Sequence, residues 1–193
     1  TQLAAKGKVA PVSDFMKPCL ESGHKLIVFS NFLEVLQSLH KQKPNSVLYV
    51  GSTSKSDREA LVKLFQKKPD ACFFLGSFGA ASVGITLTAA DRVVMVDLPW
   101  TPGSKVQAED RAWRIGQKNP VEIVPFLAKN TIDERIMDIL KAKEIVIGQA
   151  IDGLTASDSF QQSVTSAPIE SFTTHVREGR ASPAPLPYIS AAE

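Results

Sequence analysis

The sequence predicts an open, mostly parallel α/β sheet with helices on both faces, and three observations predict it. Five short runs are apolar along their whole length rather than alternating, as strands covered on both sides must be. Longer segments with apolar residues at helical spacing separate them. The connections are short, and a βαβαβ order with short connections packs as a doubly wound sheet.

The elements follow in order. A helix over about 11–22 precedes the first strand, so residues 1–22 read as an N-terminal linker and helix. The strands are "KLIVFS" (25–30), "SVLYV" (46–50), "ACFFLG" (71–76), "RVVMVD" (92–97) and "VEIVPFL" (121–127). The helices between them are "NFLEVLQSLHK" (31–41), "SDREALVKLFQKK" (56–68) and "GSKVQAEDRAWRI" (103–115), and a long helix over 131–151 follows the last strand. The main domain is thus expected over 23–154. From 155 to 193 the text turns to Ser, Thr, Ala and Pro with few regularly spaced apolar residues, which reads as a flexible tail or linker.

Composition limits the function classes. With 193 residues, 44% hydrophobic and 22% charged, the chain has ordinary globular composition and enough length for one sizeable core. A formal charge of +2 argues against a protein that coats nucleic acid uniformly, while leaving room for a basic patch. Cys19 and Cys72 stand far apart in apolar company, the pattern of buried thiols rather than of a disulfide or a metal centre, and no metal site is expected. No run approaches the roughly 18 apolar residues of a membrane span, and the first residues lack a signal-peptide core, so an intracellular, soluble chain without a membrane partner is expected. It begins at Thr1 rather than methionine, as a piece of something longer would.

Two segments resemble nucleotide-binding loops and fail their patterns. In "YVGSTSKSDRE", Ser54 stands before Lys55 where a phosphate loop needs glycine for its backbone N–H groups to curl around phosphate. The alternatives are a polar turn with Ser54 or Ser56 capping the next helix, or a turn that holds a phosphate of another molecule. "GSFGAASVGITLTAAD" (76–91) is rich in small residues but is not G-x-G-x-x-G, and only Asp97 ends the next strand with an acid.

The segment "QAEDRAWRIGQ" (107–117) is placed by this reading on the helix after the fourth strand. Gln107, Arg111 and Arg114 then share one helical face, and Ala108, Ala112 and Ile115 form a neighbouring stripe that packs on the sheet. One reading is a solvated face braced by i,i+4 pairs, Lys105 with Glu109 and Asp110 with Arg114. The other is a guanidinium pair aimed across a cleft at a triphosphate.

Taken in order, "HKLIVFSNF", "GSTSKSDREALVKLFQ", "LTAADRVVMVDLPWTPGSKVQAEDRAWRIGQ" and "VEIVPFLAKNTIDERI" resemble the second, C-terminal RecA-like lobe of SWI/SNF-type DNA translocases in helicase superfamily two. The likeness covers roughly 20–150, and its details are most similar to the branch that includes annealing helicases. The chain departs from the commoner pattern at Gly79, where arginine is frequent, at Thr86, where asparagine is frequent, and at Trp113, where many relatives have histidine.

The resemblance implies that Arg111 and Arg114 are arginine fingers for ATP and Mg2+ held mainly by a partner N-terminal RecA-like lobe, with Gln107 and Asp110 ordering their heads. It implies that Gly84 lies in the segment coupling nucleotide state to DNA. Ser30, Asn31, Gly51, Ser52, Thr53, Arg58, Ser77 and Trp100 are the candidates for contact with double-stranded or forked DNA, most of them at strand C-terminal ends where open α/β sheets bind ligands. Neither a Gly-Lys-Thr phosphate loop nor a magnesium motif occurs in the 193 residues, so the chain alone is expected to be inactive. The alternative is a non-catalytic RecA-like module that binds DNA or another protein. An independent small-molecule enzyme is disfavoured because His24, His40 and His175 are scattered. A nuclear location is expected in a eukaryote, otherwise the cytoplasm or nucleoid.

Overall fold

The computed structural model describes residues 2–81, 84–152 and 175–177. Five parallel strands, β1 (Leu26–Ser30), β2 (Ser46–Tyr49), β3 (Phe73–Ser77), β4 (Arg92–Met95) and β5 (Val121–Pro125), lie in the order β2-β3-β1-β4-β5. A sixth, β6 (His175–Arg177), pairs antiparallel with β5. It lies within 155–193, the remainder of which falls outside the described residues.

The apolar runs become strands because both faces of the sheet are covered. In β1, Leu26 and Val28 enter one core while Ile27 and Phe29 enter the other, and all four are fully buried. The first face is packed by α1 (Gln2–Gly7), α2 (Val9–Glu21) and α3 (Leu33–Gln42), through Ala5, Val12, Met16, Leu36 and Leu39. Within the segment expected as an N-terminal linker and helix, α1 and α2 help to complete this core. The second face is packed by α4 (Lys55–Lys67) and α6 (Pro102–Glu109), where Phe65 meets Phe74 edge-on at 5.4 Å between centroids. A short α5 (Phe78–Ala81) follows β3 and brings Phe78 onto Phe29, and α7 (Ile132–Asp152) packs Ile136 and Leu140 under Leu98.

One buried ion pair ties the two ends of the domain. Lys8 Nζ lies 2.7 Å from Asp133 Oδ2 and donates to the Phe126 carbonyl at 3.0 Å, while the Ala128 N–H donates to the same carboxylate oxygen. Both side chains are almost wholly buried, so this pair needs those extra hydrogen bonds to offset desolvation. No described helix is long and apolar enough to cross a membrane.

Candidate nucleotide and nucleic-acid interface

The C-terminal ends of β1 and β4 are joined by Asp97, a residue the sequence reading noted but gave no role. Its carboxylate accepts from the Ser30 hydroxyl, from the Asn31 N–H at 2.9 Å and from Asn31 Nδ2 at 2.5 Å. Burial pushes the Asp97 carboxyl above its ordinary range, and those donors, with the more distant charge of Lys8, oppose the shift. Ser30 is fully buried in this network, so its hydroxyl braces the strand ends rather than facing solvent. Asn31 is exposed and lines a cleft of about 340 Å³ with Trp100, Thr101, Ser104 and Gln107. Trp100 is 55% exposed there.

The turn after β2 is a polar cap and an open loop at once. Ser54 is the N-cap of α4, accepting from the Asp57 N–H, and Thr53 Oγ1 accepts from the Val50 N–H. Arg58 folds back on the turn, donating to the carbonyls of Thr53 at 3.1 Å and Gly51 at 3.2 Å over the ring of Tyr49. Gly51 and Ser52 stay exposed. At the end of β3, Ser77 Oγ accepts from the Ala80 N–H and so caps α5.

The arginine segment differs from the expected helix. Helix α6 begins at Pro102, with Thr101 accepting from the Ser104 N–H, and ends at Glu109 rather than 115. Residues 110–116 form tight turns, including the Arg111 N–H on the Ala108 carbonyl at 3.3 Å. The physical reason is tertiary: the Leu87 N–H takes the Arg111 carbonyl at 2.8 Å, and Gln117 Nε2 takes the carbonyls of Ala90 and Ala112. Gly116, at φ 103°, supplies the left-handed turn that brings Gln117 back. Ala108 and Ala112 are buried as expected, but Ile115 is fully exposed because it no longer continues their stripe. Lys105 and Glu109 do pair, at 3.6 Å, and Lys105 also reaches Glu144 on α7 at 3.1 Å.

Turned in this way, both guanidinium groups rest on the segment 84–86. Arg111 is 9% exposed, with Nε on the Gln107 carbonyl at 2.9 Å and Nη1 on the Ile85 carbonyl at 3.3 Å. Arg114 is exposed and donates from Nη1 to Thr86 Oγ1 at 3.1 Å and to the Gly84 carbonyl at 3.4 Å. Burial, then the neighbouring positive charge of Arg114, lowers the Arg111 pKa, while Asp110 opposes them. Gly84 holds φ 31°, a backbone setting that favours glycine. The structure thus gathers Arg111, Arg114, Gln107, Asp110 and Gly84 in one place, and Asn31 and Trp100 beside Gln107 in another. No group of three or more His, Cys, Asp or Glu side chains among the described residues has the arrangement of a metal site.

Residues 7–116 match the model of the helicase conserved C-terminal domain. The SWI/SNF-related matrix-associated actin-dependent regulator of chromatin subfamily A-like protein 1 of Xenopus tropicalis is 38% identical over 151 residues, 76% of this chain and 16% of that protein. The DNA annealing helicase and endonuclease ZRANB3 of Homo sapiens is 38% identical over 154 residues, 77% of this chain and 14% of that protein. The chain therefore spans only a small part of these relatives. Among solved structures, the C-terminal part of the Fun30 ATPase domain superposes with a TM-score of 0.65 at 30% identity, over 68% of this chain and 44% of that one. Fold, motif order and these matches agree, and the chain belongs to the helicase conserved C-terminal domain family, among the SWI/SNF-related helicases.

Proposed function

We propose that the chain works as the second lobe of an ATP-dependent translocase on double-stranded or forked DNA, delivering Arg111 and Arg114 to ATP bound on a partner lobe. One observation carries the reading: two guanidinium groups sit side by side with their described hydrogen bonds on neutral oxygens of Gln107, Gly84, Ile85 and Thr86. Neutral acceptors orient the two heads, the nearby Asp110 offsets part of their charge, and such donors fit the terminal oxygens of a triphosphate. ATP with its magnesium, held by the partner lobe, supplies the phosphoryl group. This chain supplies charge that matters most as the transition state forms, and lobe closure brings it into reach.

The exposed groups at the strand ends, Asn31, Gly51, Ser52 and Trp100, serve as contacts to the DNA backbone, with little choice of sequence and marked dependence on salt. The names of the relatives, a chromatin regulator and a DNA annealing helicase, support DNA as the track and a nuclear setting in a eukaryote.

The experiment is Arg114→Ala in the two-lobed protein. It should lower DNA-stimulated kcat by roughly 10²-fold or more and leave ATP binding within a few-fold. The 193-residue chain alone should not turn over ATP, because its sequence carries no phosphate loop. Near-parental hydrolysis by a normally melting Arg114→Ala protein would favour the non-catalytic module instead.

A further inference from the structure

Segment 84–90, on which the arginines rest, is not held by a β ladder. Several of its polar backbone groups are met by side chains and by the arginine turn, which makes each such side chain a determinant of where the segment sits. On one side the Leu87 N–H meets the Arg111 carbonyl and Gln117 meets the Ala90 carbonyl. On the other side, among the described residues, one side chain makes the hydrogen bonds, while Leu87 and Ala90 are buried in the core. Gln66, near the end of α4, donates from Nε2 to the Thr86 carbonyl at 3.2 Å and to Thr88 Oγ1 at 3.3 Å, and its Oε1 accepts from the Ala89 N–H at 2.7 Å.

We propose that Gln66 is a positioning residue for the arginine pair, acting through Thr86. Thr86 is gripped twice: its carbonyl by Gln66 and its hydroxyl by Arg114. A shift of its backbone therefore moves the acceptor that places the Arg114 head, and the Gly84 and Ile85 carbonyls lie on the same short segment. The amide uses both of its donor hydrogens and its oxygen on one loop, so no apolar or shorter side chain at this position reproduces the hold.

Gln66 also connects the two halves of the site. Helix α4 starts at the Ser54 cap of the Gly51–Ser54 turn and carries Gln66 at its far end, a span of about 20 Å for thirteen residues. One rigid element thus joins a turn assigned to the DNA backbone with the loop that places the fingers. A displacement of the turn has a direct mechanical route to Thr86.

The inference rests on the arginine-finger reading, and the experiment separates the two. In the two-lobed protein, Gln66→Met, of similar length but without polar atoms on nitrogen or oxygen, should lower DNA-stimulated kcat about tenfold with the KM for ATP within about twofold. Gln66→Glu keeps the acceptor for Ala89 and loses both donors, so it isolates the hold on Thr86 and Thr88 and should fall comparably. In the 193-residue chain, the guanidinium NMR signals of Arg111 and Arg114 should shift in both variants, a change that a purely stabilising role for Gln66 would not require. If the Met variant does not fold, the Glu variant carries the same test. Parental kcat and unmoved guanidinium signals in a folded variant, with Arg114→Ala still inactive, overturn the role of Gln66 alone. Parental turnover in both Gln66→Met and Arg114→Ala overturns the finger reading itself.

Discussion

Cations are held in two ways in this domain. In one way they meet carboxylates: Arg92 lies 2.9 Å from Glu122 at the starts of β4 and β5, and Lys8 lies 2.7 Å from Asp133. On segment 84–86, Arg111 and Arg114 donate to backbone carbonyls and a hydroxyl. The first arrangement cancels charge and ties separate elements together. The second fixes the geometry of two guanidinium groups through neutral acceptors, with Asp110 as the opposing charge nearby, an arrangement that suits an anion site. Lys25 and Arg58 also rest on carbonyls, so two such heads gathered on one segment, rather than the acceptor alone, mark the second arrangement.

The largest expected effect tests the charge-cancelling kind at its most buried example. Lys8→Met leaves the Asp133 carboxylate buried without its cation, and should cost about 3–5 kcal/mol in denaturant titration. Adding Asp133→Leu should recover much of that loss, because removing both charges also removes the desolvation cost. A full loss in the double variant would mean that the pair does more than neutralise itself.

Next comes a crossed comparison. Arg92→Ala should lower stability by about 1–3 kcal/mol, since Glu122 is left half-buried, while DNA-stimulated turnover of the two-lobed protein stays close to parental. Arg114→Lys should do the reverse, with melting near parental and kcat reduced about tenfold or more, because a point ammonium cannot reproduce the planar fork. If Arg92→Ala loses turnover or Arg114→Lys loses stability, the division between the two regions fails.

A smaller effect follows from Asp97. Its carboxyl is raised above 3.8 in the folded chain, so as pH falls toward that raised value the native state takes up a proton before the unfolded chain does. The native state then binds more protons, and this group adds stability as pH falls between its raised value and 3.8. Asp14 and Glu34, lowered by Lys17 and Lys6, lose stability on acidification instead, but identically in parent and variant. The stability of the parent relative to Asp97→Asn should therefore rise as pH falls through that window. A gap independent of pH in urea titrations would show that Asp97 does not carry the shift.

The strands were legible because burial on both faces leaves a local mark: "KLIVFS" and "RVVMVD" admit few polar residues, whichever partner strand they find. The end of α6 was not. Periodicity continues through Ala112 to Ile115, and the contacts that stop the helix, Leu87 on the Arg111 carbonyl and Gln117 on Ala90, come from residues distant in sequence or beyond its end. The motif nevertheless located the arginines, since chemistry can be read from residue type where conformation cannot. Asp97 had a readable signal, a lone acid ending an apolar run, which must find donors if it is buried. Gln66, one polar residue in a polar helix end, had none. The strand β6 gave no signal either, because three residues are too few to show alternation.

The smallest expected effect concerns that strand. His175–Arg177 pairs with Val121–Ile123 on the side of β5 away from β4, opposite the strand that carries Arg92. Three residues of antiparallel ladder form few hydrogen bonds, each worth about 0.5–1.5 kcal/mol net, and ordering three residues costs about 1–2 kcal/mol apiece. The balance is near zero, and the Ser-, Thr- and Pro-rich composition of 155–193 offers little apolar surface to tip it. Deleting 155–193 should therefore change stability by no more than about 1 kcal/mol and keep unfolding cooperative. The guanidinium signals of Arg111 and Arg114 should stay in place, because their described hydrogen-bond partners, Gln107 and residues 84–86, lie outside the deleted stretch. A loss of several kcal/mol would make β6 part of the folded unit. If the arginine signals moved as well, the outer strand and the arginine segment would be coupled through β5, and the separation between the charge-cancelled pairs and the arginine pair would no longer hold.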